Sequence, residues 1–344
     1  MDPRTIDDIL SGRRRGVLYG ALRGGLLAAS LPYSGLMRLR RWAYRRNFLS
    51  SYRVEAPVIC VGNITAGGTG KTPMVAWLVR QLETMGRKPA ILTRGYKAVG
   101  GQSDEARLLE DLCGVKVVVN ADRVAGARWA IRAGADVLVM DDGFQHRRLG
   151  RDLDIVLVDA TNPFGYGHCI PRGLLRELPT ALAEAQALVI TRTGMVDAQR
   201  AQPLRERLTL LAPQACIVTA DHEPIDLVTP GGSVPLSSLS GRRVLAFCGL
   251  GNPAAFFESL RRLGCRLVHE WALPDHAAYD SQVLETLRRR MFDSGAELAV
   301  TTQKDAVKLP AAPGIEVWTL RIQMQLGEGC DDLRRLLGRL VMAR

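Results

Sequence analysis

A strand, a glycine-rich turn and a helix in immediate succession narrow the possible folds of this chain more than anything else in it. Pro57-Val-Ile-Cys-Val61 is a short apolar run ending at Gly62, and it reads as a buried strand. Gly62-Asn-Ile-Thr-Ala-Gly-Gly-Thr-Gly-Lys-Thr-Pro73 follows, after which Met74, Val75, Leu78, Val79 and Leu82 recur at helical spacing. Pro73 suits a first helical turn, where a missing N–H is tolerated. This order predicts a phosphate-binding loop. Gly67, Gly68 and Gly70 let the backbone curl until several amides face one anion, and the helix start adds partial positive charge. On that reading Thr65, Ala66, Gly67, Gly68, Thr69, Gly70, Lys71 and Thr72 bind the phosphates of ATP. Lys71, one of six lysines in the chain, reaches the outer phosphates, and the Thr72 hydroxyl ligates Mg²⁺. The pattern departs from strict GxxxxGK[ST] in having Thr65 where glycine is usual, with the Gly67-Gly68 pair supplying the flexibility instead.

Ala135-Asp-Val-Leu-Val-Met140 is a second buried-type strand, ending in Asp141-Asp142-Gly143-Phe144-Gln145-His146. A strand closed by acid holds the Mg²⁺ shell in phosphate-loop proteins, and open α/β sheets place ligands at that end. Asp142 is the expected metal ligand; Asp141, Gln145 and His146 are expected contacts to substrate or phosphate. Asp154-Ile-Val-Leu-Val-Asp159 repeats the pattern. An Asp after a strand is commonly a turn or cap residue, so Asp159 stays open between the two readings. The fold class is therefore α/β, a P-loop NTPase-like, mainly parallel sheet flanked by helices. A turn-rich joint at Pro230–Pro235 and Ser237–Gly241 precedes alternating strand-like and helical runs, which predict a smaller C-terminal α/β lobe. The expected divisions are a basic membrane-anchoring segment over 1–46, a P-loop domain over 47–236 and the smaller lobe over 237–344.

Charge placement bears on the first of these. The formal net charge is +11, and residues 1–53 hold eleven Arg against three Asp, so eight of those charges sit in the leader. A nucleic-acid protein spreads a basic groove through its fold with aromatics to stack bases; aromatics here are 6%. The leader points instead to anionic lipid head groups, with no nucleic acid expected. Between Arg23 and Arg38 lie fourteen uncharged residues, short of the about 20 that a spanning helix needs. Leu18, Leu22 and Leu26 at helical spacing predict one apolar face, with arginines before and after it, as in a helix lying in the interface. A helix packed on a soluble core is the competing reading. An export signal is disfavoured, because Arg23 interrupts the apolar core and the later Arg cluster favours the cytoplasmic side. The seven cysteines have no CxxC spacing and signal neither a disulfide framework nor a zinc site.

The sequence resembles the tetraacyldisaccharide 4′-kinases, the lipid A 4′-kinases of Gram-negative bacteria, through nearly its whole length. The markers are Gly62-Asn63 through Lys71-Thr72-Pro73, Thr93-Arg-Gly-Tyr96, Asp141 through Leu149 with Asp152, and Pro171-Arg-Gly-Leu-Leu-Arg176-Glu177. Gly249-Leu-Gly-Asn-Pro253, Pro274-Asp-His276 and Thr302-Gln-Lys-Asp-Ala-Val-Lys308 continue the series. The resemblance implies transfer of the γ-phosphate of ATP, with Mg²⁺, to the 4′-hydroxyl of a tetraacylated glucosamine disaccharide 1-phosphate. It implies a peripheral or monotopic enzyme at the cytoplasmic face of the inner membrane. It also implies an Asp–His pair taking the acceptor's proton, here Asp104 and His276. Read from the residues alone, His146 beside the acidic pair outranks His276. Arg123 and Arg176 are candidates for phosphate or substrate contacts, and Glu177 for a further metal ligand. The chain departs from the family pattern at Ala106, usually Pro, at Leu174 and Gln303, and in having only Lys97–Ser103 between Tyr96 and Asp104. Competing functions are a GTPase or metal-insertion ATPase, for which no Asn-Lys-x-Asp signature follows the loop, and a membrane-associated P-loop NTPase or nucleotide sensor without lipid kinase activity. No obligatory protein partner is inferred.

Overall fold

The chain opens with two helices, α1 (Pro3–Ser11) and α2 (Val17–Arg45). Then come β1 (Val58–Asn63), α3 (Lys71–Thr84), β2 (Pro89–Thr93), α4 (Asp104–Cys113), β3 (Val117–Val119), α5 (Arg123–Arg132), β4 (Val137–Asp141), β5 (Leu153–Asp159), β6 (Ala187–Thr191) and α6 (Ala198–Leu211). The remaining elements are β7 (Cys216–Thr229), β8 (Gly232–Val234), β9 (Arg243–Cys248), α7 (Pro253–Arg262), β10 (Arg266–Ala272), α8 (Ser281–Ser294), β11 (Leu298–Thr302), α9 (Gln303–Ala306), β12 (Val317–Leu326) and α10 (Cys330–Met342). This computed structural model describes residues 3–95, 104–274, 277–310 and 313–342. They form two compact units, one of Met1–Lys97, Leu112–Asp221 and Met324–Arg344, the other of Ala98–Asp111 and His222–Gln323.

In the first unit the strands pair in the order β3-β2-β4-β1-β5-β6-β7, every pairing parallel. All six residues of β1 are buried, as expected of a central parallel strand with both faces covered. α3 lays Met74, Val75, Leu78, Val79 and Leu82 into the core, the face that its spacing predicts. The register sets Val61 of β1 beside Asp141 of β4, Asn63 beside Leu157 of β5, and Asp159 of β5 beside Thr191 of β6. The polar residues at these strand ends therefore lie side by side at the carboxyl edge of the sheet. In the second unit β10, β9, β11 and β12 run parallel in that order around Phe256, Phe257, Leu260 and Trp318, and β8 pairs antiparallel with the later half of β7.

α2 rests on the first unit by one face. Ser30 is buried, Tyr33 packs on the core, and Arg41 pairs with Glu184 at 2.7 Å while donating to the Thr180 carbonyl at 2.9 Å. Its outer face exposes Val17, Leu18, Leu22, Leu27, Leu31, Leu36 and Leu39. Of the expected Leu18–Leu22–Leu26 face, Leu18 and Leu22 are exposed and Leu26 is half-buried. Each four-residue step overshoots a full turn by about 40°, so the two steps from Leu18 to Leu26 turn the side chain by about 80°. No helix among the described residues is long and apolar enough to cross a membrane.

Candidate active site

The turn after β1 closes through two backbone conformations. Gly67 and Gly70 have φ of 116° and 92°, a region that a Cβ resists, and Gly70 is the residue from which α3 starts. Thr65 is buried and bridges Leu175, the Ala66 amide donates to the Leu174 carbonyl at 2.6 Å, and the Arg176 amide donates to the Ile64 carbonyl at 2.7 Å. The Pro171–Glu177 segment is thereby brought against the beginning of the loop. From the other side Asn63 Nδ2 donates to Thr69 Oγ1 at 3.0 Å, Thr191 Oγ1 to the Thr69 carbonyl at 3.0 Å, and Arg192 Nη2 to the Gly68 carbonyl at 2.6 Å. Lys71 and Thr72 occupy the first turn of α3, both half-buried.

The acidic turn sits directly beside them. A Cβ on Gly62 would lie 2.6 Å from Phe144 Cβ, so β1 and the turn after β4 approach as only glycine permits. Gln145 Nε2 ties that turn to the Asn63 carbonyl at 2.8 Å, and Arg151 Nη1 holds the Phe144 carbonyl at 2.8 Å. Asp142, at φ 48°, lies 3.5 Å from Lys71 Nζ and 2.9 Å from Arg176 Nη1 through both carboxylate oxygens. Burial by itself would raise the Asp142 carboxyl, but the charges of Lys71 and Arg176 outweigh it and hold it below the usual carboxylate range. Asp141 is buried, and its backbone carbonyl accepts from Arg123 Nη2 at 3.2 Å. Arg123 is only 4% exposed, and its Nη1 is buried without a hydrogen-bond partner among the described residues. Burial pulls this guanidinium down to about 10, against the opposing charges of Asp141 and Asp142, so it is cationic at neutral pH.

The structure thus brings together Lys71, Thr72, Asp141, Asp142, Gln145, Arg123 and Arg176. His146 lies on the same turn; burial, then the charges of Arg123, Arg40 and Arg151, push it down to about 4, which makes it a neutral imidazole at pH 7. Its Nε2 is buried without a hydrogen-bond partner among the described residues. Glu177 is turned onto Arg147 at 3.3 Å, and burial raises its carboxyl. Asp104 opens α4 and is exposed. His276 lies outside the described residues. Asp159, left open by its sequence, pairs closely with Arg192 and accepts from the Thr161 amide at 2.9 Å. Thr191, Arg192 and Tyr33 went unnoticed in the sequence, where Asn63 counted only as a family marker. Tyr33 of α2 donates to the Arg176 carbonyl at 3.1 Å. The signal for Thr191-Arg192 was available: polar residues directly after the apolar run Ala187–Ile190, at a parallel strand's carboxyl end.

Comparison with known proteins gives this arrangement a context. Residues 22–341 match the family model described as tetraacyldisaccharide-1-P 4′-kinase. A tetraacyldisaccharide 4′-kinase from Pelobacter propionicus is 41% identical over 327 residues, 88% of this chain and 87% of the relative. One from Anaeromyxobacter dehalogenans is 38% identical over 351 residues, 94% and 93% of the two chains. Among solved structures, the "apo" form LpxK of Aquifex aeolicus in complex with ATP is 28% identical with a TM-score of 0.73, covering 93% of this chain and 99% of that one.

Proposed function

The chain belongs to the tetraacyldisaccharide 4′-kinase family, and from that membership we propose how its residues carry out the transfer. It is an ATP-dependent kinase that phosphorylates the 4′-hydroxyl of the lipid A disaccharide precursor. The observation that carries the residue assignments is the meeting of Lys71, at the start of α3, with Asp142, at the end of β4.

The amides of the loop from Gly67 to Thr72 cradle the triphosphate at the start of α3. Lys71 neutralises the charge that develops as the γ-phosphate leaves ADP, and the Arg176 guanidinium, anchored on Asp142, lies beside it. Arg123 contributes a buried N–H without a partner among the described residues, the kind of donor that an anionic oxygen satisfies. The donors Asp142, ionised at neutral pH, and Thr72 are hard oxygen ligands and fit Mg²⁺; they would hold the ion, which would supply positive charge against that developing on the phosphates. The acceptor's proton is assigned to the pair Asp104 and His276, with a neutral imidazole as base and the carboxylate orienting it. The decisive assay is labelled ATP with a tetraacylated glucosamine disaccharide 1-phosphate. Label is expected on the lipid at the 4′ position. ATP turnover without labelled lipid would leave a nucleotide hydrolase or sensor in place of the kinase.

The outer face of α2, apolar from Val17 to Leu39 and flanked by Arg13–Arg15 and Arg38–Arg46, supports a peripheral position on the anionic cytoplasmic surface of the inner membrane. Leu31→Glu with Leu36→Glu alters only that face and leaves the inward Tyr33 and Arg41 untouched. Affinity for anionic vesicles, read by sedimentation, should fall by about 10³-fold or more, the loss expected from two Leu side chains and two repelled charges. Unaltered sedimentation would remove the anchor from α2.

A further inference from the structure

The carboxyl end of β6 touches the phosphate loop at two successive carbonyls. Arg192 Nη2 holds the Gly68 carbonyl at 2.6 Å, and Thr191 Oγ1 holds the Thr69 carbonyl at 3.0 Å. A trans peptide points its C=O and its N–H in opposite directions. Pinning the Gly68 oxygen toward β6 therefore turns the Thr69 amide away from it, and pinning the Thr69 oxygen does the same to the Gly70 amide. Two adjacent N–H groups are thus set facing away from β6. Left to rotate, either unit could present a carbonyl oxygen to a polyanion, which repels it.

We propose that Thr191 and Arg192, with Asp159 holding Arg192, are positioning residues that fix the direction of the loop amides for the triphosphate. Arg192 is only 8% exposed and sits at φ 59°, an uncommon backbone conformation for a long side chain. Its guanidinium spans two partners, the Gly68 carbonyl and the Asp159 carboxylate, and the register seats Asp159 next to Thr191. Asp159 is in turn oriented by Thr161, through its amide at 2.9 Å and its hydroxyl at 2.7 Å. Asn63 fixes the Thr69 side chain from below. The inference rests on reading this loop as the phosphate site of ATP.

The test compares Arg192→Ala, Arg192→Lys and the near-isosteric Thr191→Val, measuring direct binding of ATP and of inorganic tripolyphosphate together with KM for each kinase substrate. Arg192→Ala should weaken ATP and tripolyphosphate alike by about 10- to 100-fold, the range for losing a charge-assisted hydrogen bond. KM for the lipid should stay within about twofold, Arg192→Lys should recover part of the loss, and Thr191→Val should weaken both anions by about three- to tenfold. Weaker ATP with unchanged tripolyphosphate would mean that Arg192 reads the nucleoside, and the proposal fails. Thr191→Val binding both anions like the parent would also overturn it, even if Arg192→Ala does not fold. Because the two binding readouts need no lipid, a parent protein that binds ATP but leaves the lipid unlabelled would count against the kinase reading alone.

Discussion

Lys71→Ala is expected to lower kcat by about 10³-fold or more while the melting temperature stays close to that of the parent. The two outcomes separate because of where Lys71 sits. It is the first residue of α3, where alanine is a good helix former, so the start of the helix survives the change. The substitution removes a 3.5 Å pair with Asp142, whose side chain is more than a third exposed, worth less than about 1 kcal/mol of stability. In the proposed transition state the same ammonium would face charge moving onto the phosphate oxygens, in a site where Gly70 and the helix start orient the donors. Lipid phosphorylation and thermal melting measured on one preparation check both halves. Parental turnover in the variant would remove Lys71 from the mechanism.

Asp142→Asn should cost about 10²- to 10³-fold in kcat, again with the fold retained. Asp142 has φ 48°, and asparagine is among the side chains that best tolerate that region, so the turn after β4 keeps its shape. What changes is charge: Lys71 and Arg176 lose the anion between them, and the proposed Mg²⁺ ligand becomes neutral. Asp142→Ala adds a backbone penalty of about 1–2 kcal/mol, which Asn avoids. The substitution also has a signature in acid. The Asp142 carboxyl is held below its ordinary value, so its pairing stabilises the folded chain above the usual carboxylate range, near about pH 4, and that stability is lost as pH falls through the lower folded value. The acid limb of a melting-temperature profile should be shallower in Asp142→Asn. An identical limb and undiminished kcat would dissociate Asp142 from the site.

Much of the site was legible because its signals are local. A buried run, three glycines and Lys71-Thr72 occupy fewer than twenty consecutive positions, and a phosphate loop is built from consecutive backbone amides. The same holds for Asp141-Asp142, where an apolar strand and its terminal acids are contiguous. Asp159 shows the limit. Like Asp142 it follows an apolar strand, yet one carboxylate meets Lys71 and Arg176 while the other meets Arg192. The difference lies in sheet order: β4 and β5 flank β1 on opposite sides.

Patterns of neighbours along the chain were enough to specify the glycine-rich strand–loop–helix, the acid beside it, the α/β class and the uncharged stretch of α2. Folding in three dimensions was needed to turn Glu177 to Arg147, to bring Tyr33 to the Arg176 carbonyl, and to let Thr191 and Arg192 grip the loop more than 120 positions away. Such partners are chosen by strand register and by which polar atoms burial leaves to be satisfied, and neither can be read from adjacent residues.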